Sequence, residues 1–180
     1  MFIKLIIITI ITILIIITVP IVLFNIKHKE KYNMIDQYLS NPDEYYVKNP
    51  IEYHEYRMHK KVYELNIVNI PKIIYYDRKT KTIVFEKIGN SNLSDTYGDQ
   101  ASDVPDHLFD QVVQIINTLR NNNIEYPDLT GYNFVEDFEQ NGKIWIIDFE
   151  HAKSKNKDKI KNKHILDICN GIKKWNPDFY

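Results

Sequence analysis

Two short segments hold residues whose types and spacing could do chemistry. Tyr126-Pro127-Asp128-Leu129-Thr130-Gly131-Tyr132-Asn133 puts a carboxylate and an amide five residues apart in a turn-rich loop. Ile144-Trp145-Ile146-Ile147-Asp148-Phe149-Glu150 ends an apolar run on a second carboxylate. A loop carrying Asp and Asn, facing a strand-end Asp, suits phosphoryl transfer. One carboxylate accepts the proton of an attacking hydroxyl, while the amide oxygen and the other carboxylate hold a hard divalent ion against phosphate oxygens. Singly, Asp128 and Asn133 are ordinary turn residues and Asp148 an ordinary cap. Only the combination points to chemistry.

The surrounding pattern supplies elements that can position these groups. Leu108, Val112, Ile115, Ile116 and Leu119 form an apolar stripe at helical spacing, which predicts a helix from about 105 to 120, ended by Asn121-Asn122-Asn123. The run 143–148 reads as a buried strand. Upstream, Ile51, Met58, Val62 and Leu65 predict a second helix, with Asn49 as its N-cap and Pro50 as its first residue. A short strand is expected at Tyr45–Lys48, and residues 72–77 and 82–88 read as a hairpin around Arg78-Lys79-Thr80-Lys81. Residues 89–105, rich in Asn, Ser, Asp and Gly, read as a loop. There are no internal repeats.

These pieces together resemble the protein kinase superfamily. Tyr126-Pro127-Asp128, four residues and Asn133 match the kinase catalytic loop, and Asp148-Phe149-Glu150 matches its Asp-Phe-Gly turn. A polar hairpin around Asn141-Gly142 separates the two, as in that family. Glu55 to Val62 looks like the helix that presents a Glu to the ATP-positioning Lys, followed by Asn69-Ile70-Pro71 and two strands. The resemblance covers roughly residues 45–152. It implies an α+β, minimal protein kinase-like fold using ATP and Mg²⁺. Asp128 would be the catalytic base, Asn133 and Asp148 the metal ligands, and Lys48 with Glu55 the phosphate-positioning pair. The backbone of Glu86 and Ile88 would meet the adenine edge.

The chain also departs from that pattern. No glycine precedes Gly89, so the Gly-rich loop over the phosphates has no counterpart. Lys48 lies seven residues before Glu55, a shorter separation than the family uses. Tyr126-Pro127 stands for His-Arg, Thr130 for a frequent Lys, and Glu150 for the Gly of the metal-binding turn.

Composition bounds the rest. The chain has 180 residues, and Leu5 to Phe24 carries no charge. That length of helix matches a bilayer core of roughly 30 Å, so residues 1–26 read as an uncleaved single-pass transmembrane anchor preceding the kinase-like fold. Lys27, Lys29 and Lys31 after it favour a cytoplasmic main domain; Asn92-Leu93-Ser94 is a glycosylation acceptor should the domain face a lumen instead. Residues 27–44 read as a juxtamembrane linker. Without residues 1–26, which carry Lys4 alone, 22 basic and 24 acidic side chains remain, a balance that gives no general reason to bind nucleic acid. The lone Cys169 excludes an internal disulfide. Residues 153–180 read as a basic and helical C-terminal tail. Its Lys153–Lys163 stretch is either a solvated run or a contact for anionic lipid headgroups.

Two functions follow: a membrane-anchored kinase-like phosphotransferase with an unidentified acceptor, or a catalytically inactive pseudokinase that binds a protein partner at the membrane. All three base and metal-site residues favour the first; the missing glycine loop favours the second.

Overall fold

The computed structural model describes residues 16–23, 34–89 and 91–179. The chain divides into two units, Met1–Pro42 and Asp43–Tyr180. In the first, residues 16–23 and 34–39 are helical, and 16–23 are exposed throughout. No helix among the described residues is long and apolar enough to cross a membrane. This overturns the expected transmembrane helix over residues 1–26 and the single-pass, cytoplasm-facing localisation. The eight described helical residues, 16–23, account for about 12 Å at 1.5 Å each, where a bilayer core needs roughly 30 Å. The rest of that expected anchor, residues 1–15 and 24–26, lies outside the described residues, as do 27–33 of the expected linker.

The second unit is mixed α+β. Its elements are β1 (Tyr45–Lys48), α1 (Tyr53–Leu65), β2 (Ile73–Asp77), β3 (Thr82–Glu86), β4 (Ser91–Asn92), α2 (Leu93–Tyr97) and α3 (Asp106–Asn121). There follow β5 (Ile124–Glu125), β6 (Phe134–Asp137), β7 (Lys143–Ile146), β8 (Lys153–Ser154) and α4 (Lys163–Cys169). An antiparallel sheet runs in the order β1-β3-β2, a second in the order β4-β6-β7, and β5 pairs with β8. The central β3 meets neighbours on both edges, so Ile83, Val84 and Phe85 are buried as an unbroken apolar run. Ile51, Ile83 and Phe85 form a small core of their own. The larger core gathers around α3, where Leu108, Val112, Ile116 and Leu119 are almost wholly buried on one face. Each such side chain contributes about 1.5–3 kcal/mol on leaving water.

The start of α1 differs from expectation. Pro50 is not its first residue; the helix begins at Tyr53 with Glu52 at the N-cap. Asn49 instead donates its amide to Thr80 O and Thr82 Oγ1, tying the end of β1 to the β2–β3 turn. The expected loop 89–105 also contains structure. Asn92 caps α2 by accepting from Asp95 N at 2.8 Å, which gives the Asn92-Leu93-Ser94 segment a local structural role.

Candidate active site

Lys48 is the last residue of β1, and the turn after it brings the first turn of α1 back alongside. Lys48 Nζ lies 2.7 Å from Glu55 Oε1 and 3.1 Å from Asp148 Oδ2. A strand end, the helix that follows it and a segment 100 residues away thus meet at one ammonium. Glu55 is buried to 3% exposure, and burial pushes its carboxyl above the usual range despite the Lys48 hydrogen bond. For Lys48, burial alone would favour the neutral amine, but the Glu55 and Asp148 carboxylates outweigh it and the ammonium is held more firmly than usual.

Asp148 leaves β7 with φ at +55°, a left-handed conformation uncommon outside glycine and Asn, Asp or His. Backbone held this way tends to cluster at functional sites. Its Oδ1 accepts from Glu150 N at 3.2 Å. Glu55, Asp148 and Glu150 each place a carboxylate oxygen within 4.8 Å of the others. These are hard oxygen donors, the type a magnesium-sized cation takes.

The loop after β5 carries Asp128 and Asn133. Asn133 is buried; its Nδ2 donates to Asp128 O at 3.1 Å, which leaves Oδ1 as the atom available to a cation. Its own carbonyl accepts from Ile147 N at 3.0 Å, joining the loop to the segment that enters Asp148. Burial raises the Asp128 carboxyl above its ordinary value, and the Asp148 charge adds to this while Asn133 opposes it. A carboxylate raised in this way is a better proton acceptor near neutral pH.

Sequence reasoning missed several groups that hold this arrangement. Tyr126 is buried and donates its hydroxyl to Ile147 O at 2.7 Å. Its ring meets Phe149 edge-on at 5.3 Å; Phe149 meets His59 at 5.6 Å, and His59 meets Phe85 at 4.5 Å. An aromatic column therefore stands behind the ion pair. His59 Nε2 is 2.7 Å from Pro71 O, and burial lowers its pKa to about 4, so the ring is neutral. Asn176, fully buried, clamps both carbonyls that flank Asp128. Its side chain donates to Pro127 O and its backbone N–H to Leu129 O, each at 2.8 Å. Nothing in the local pattern at Asn176 marks it; only long-range packing does. Gly131 is needed because a Cβ there would collide with Ser94 Oγ and lie 3.0 Å from Ser94 N.

A cavity of about 240 Å³ opens in front of Lys48. Lys48, Glu55, Glu86, Ile88 and Asp148 all line it; Asp128 and Asn133 do not. Glu86 spends its side chain on Lys72 N at 2.6 Å, and Lys87 N donates to Glu44 O. The cavity is small beside typical ligand sites of roughly 300 Å³ upward.

No family model matches the chain, and no curated protein does. Among solved structures, the fold is similar to the Cydia pomonella granulovirus kinase PK-1, at a TM-score of 0.46 and 12% identity. The match covers 70% of this chain and 57% of that one, so this chain spans little more than half the length of the viral kinase. The likeness concerns the path of the backbone and says nothing of chemistry.

Proposed function

We propose that the Asp43–Tyr180 unit is a kinase-like phosphotransferase that moves the γ-phosphoryl group of ATP to an acceptor hydroxyl. The observation that carries this reading is the ammonium of Lys48 between Glu55 and Asp148, at the back of a cleft whose rim is the Glu86–Ile88 segment. In this reading Lys48 orients the phosphates, and Glu55 keeps its side chain from collapsing onto solvent. The backbone of Glu86 and Ile88 borders the base. Asp128, with its raised carboxyl, takes the proton from the acceptor. Asn133 Oδ1 and the Asp148 carboxylate, with Glu150 beside it, would hold Mg²⁺, which supplies charge neutralisation on the phosphate oxygens.

A second reading, a nucleotide-free or inactive binding module, draws on one feature. No glycine precedes Gly89, so no glycine-rich backbone is available to cradle phosphates from above. Thermal unfolding with and without millimolar Mg-ATP separates the two, since a ligand of the native state raises Tm by mass action. The phosphotransferase reading expects a rise in wild type, its loss in Asp148→Asn, and its retention in Asp128→Asn together with loss of transfer. No rise in wild type ends that reading, and undiminished turnover in Asp128→Asn ends the assignment of the base.

A further inference from the structure

The chain that leaves the Asp148 turn carries lysines at 153, 155, 157, 159, 161 and 163. The structure holds this stretch as a fixed rim, not a loose tail. β8 pairs with β5 in the register Glu125↔Lys153 and Ile124↔Ser154. Lys155 N donates to Asn123 O at 2.8 Å, Lys157 N donates to Asn123 Oδ1 at 3.0 Å, and Ile160 is fully buried. Lys61 Nζ on α1 reaches Ser154 Oγ at 2.8 Å. Two of the six lysines are engaged, Lys155 with Glu125 and Lys163 with Asp167. Lys153, Lys157, Lys159 and Lys161 are exposed and make no salt bridge among the described residues. Asp158 is the only carboxylate within the stretch.

This rim begins beside the reacting groups. Lys153 stands opposite Glu125, and Asp128 follows Glu125 by three residues, a reach of about 10 Å at full extension. A chain lying along the lysines would therefore start near the segment that carries Asp128. We propose that the rim docks an acidic polypeptide and, resting on the phosphotransferase reading above, that this polypeptide is the phosphoryl acceptor. The cations follow a strand and a turn instead of converging on one point, which fits charges spread along an extended chain better than a single compact anion. Interfacial membrane binding usually adds inserted apolar side chains to basic ones, and no large exposed hydrophobic lies between residues 150 and 163. A nucleic acid partner is disfavoured by a whole-chain charge of −1.

The test uses the full chain and three fluorescent serine peptides, flanked by Asp and Glu, by neutral residues, or by Lys. Binding is measured by anisotropy without nucleotide, so it stands apart from any failure of ATP binding. The acidic peptide should bind more tightly than the neutral one, and rising salt should weaken it. The variant Lys157→Glu/Lys159→Glu/Lys161→Glu should weaken it by about tenfold or more, with Tm unchanged as a check on folding. Should the triple variant unfold, Lys153→Gln and Lys159→Gln singly should each weaken binding by a smaller factor. Equal binding of acidic and neutral peptides, or no loss in any lysine variant, overturns the proposal. So does a preference for phosphatidylserine vesicles or RNA over the acidic peptide. Phosphate transfer to the acidic peptide in preference to the other two supports the acceptor assignment. Transfer with no preference for the acidic peptide overturns that assignment, while a lack of transfer to all three counts against the phosphotransferase reading.

Discussion

Replacing Lys48 with Met removes the cation that bridges the Glu55 and Asp148 carboxylates while keeping much of the side-chain volume. Glu55 is left buried at 3% exposure, with oxygen atoms of Asp148 and Glu150 within 4.8 Å. Breaking a buried ion pair by deleting one partner costs about 3–5 kcal/mol. At roughly 2–4 °C per kcal/mol for a chain of this size, Tm should fall by about 6–20 °C. The loss should depend on pH. The Glu55 carboxyl already lies above its usual range through burial and rises further without Lys48. A raised carboxyl favours the folded state in its protonated form; that contribution is complete below the unfolded value, about 4.3, and disappears as pH climbs through the folded value. The deficit of Lys48→Met should therefore grow with pH. Adding Glu55→Gln, which deletes the stranded charge, should recover most of it in a double-mutant cycle. Urea titrations near pH 5 and pH 8 give the numbers. A deficit under about 1 kcal/mol, equal at both pH values and unrelieved by Glu55→Gln, would refute a buried, charge-dependent pair.

Further expectations concern the surroundings of that pair. His59, lowered from 6.5 to about 4, binds its proton more weakly when folded. Its contribution is present above 6.5 and is lost as pH falls towards 4, a span of 2.5 units or roughly 3 kcal/mol. His59→Leu should flatten that part of the acid limb in denaturant titrations, and an unchanged limb would contradict a neutral, buried ring. Gly131→Ala should destabilise by about 1–3 kcal/mol through overpacking against Ser94, with part of the loss recovered by Ser94→Gly. Ser94→Ala alone should be neutral or stabilising in thermal melts, because the Ser94 hydroxyl is buried without a partner among the described residues.

The sequence marks the residues proposed to carry chemistry better than those that hold them in place. Asp128, Asn133 and Asp148 stand out because their spacing is local and their types are unusual at the end of an apolar run. The body of α3 is likewise visible, since a helical apolar pattern depends on neighbours a few residues away. The Lys48–Glu55 contact is not visible from spacing, because it depends on how tightly the turn at Asn49–Pro50 folds back, and Asn49 is held there by Thr80 on the distant β2–β3 turn and Thr82 at the start of β3. The roles of Asn176 and His59 are equally hidden, each defined by a partner's backbone carbonyl. The run of lysines reads as a solvated tail by composition, yet Ile160 and the bonds to Asn123 pack it. The long apolar run at the N-terminus invites a membrane span on hydropathy alone, and no helix among the described residues is long and apolar enough to be one.

The two carboxylates on the Lys48 ammonium differ in one further respect, how much chain must be closed to reach them. Glu55 is 7 residues away and Asp148 is 100. Loop-closure entropy makes the longer link costlier by roughly 2.4 kcal/mol, from (3/2)RT ln(100/7). During folding, β1 and α1 can therefore join through Lys48 and Glu55 well before the segment bearing Asp148 arrives. By the same reasoning, the Asp148 arm should be the first to be released in local unfolding. Amide exchange should report this as deeper protection around Lys48 and Glu55 than around Ile147 and Asp148, with the complete cluster existing only when the whole unit is closed.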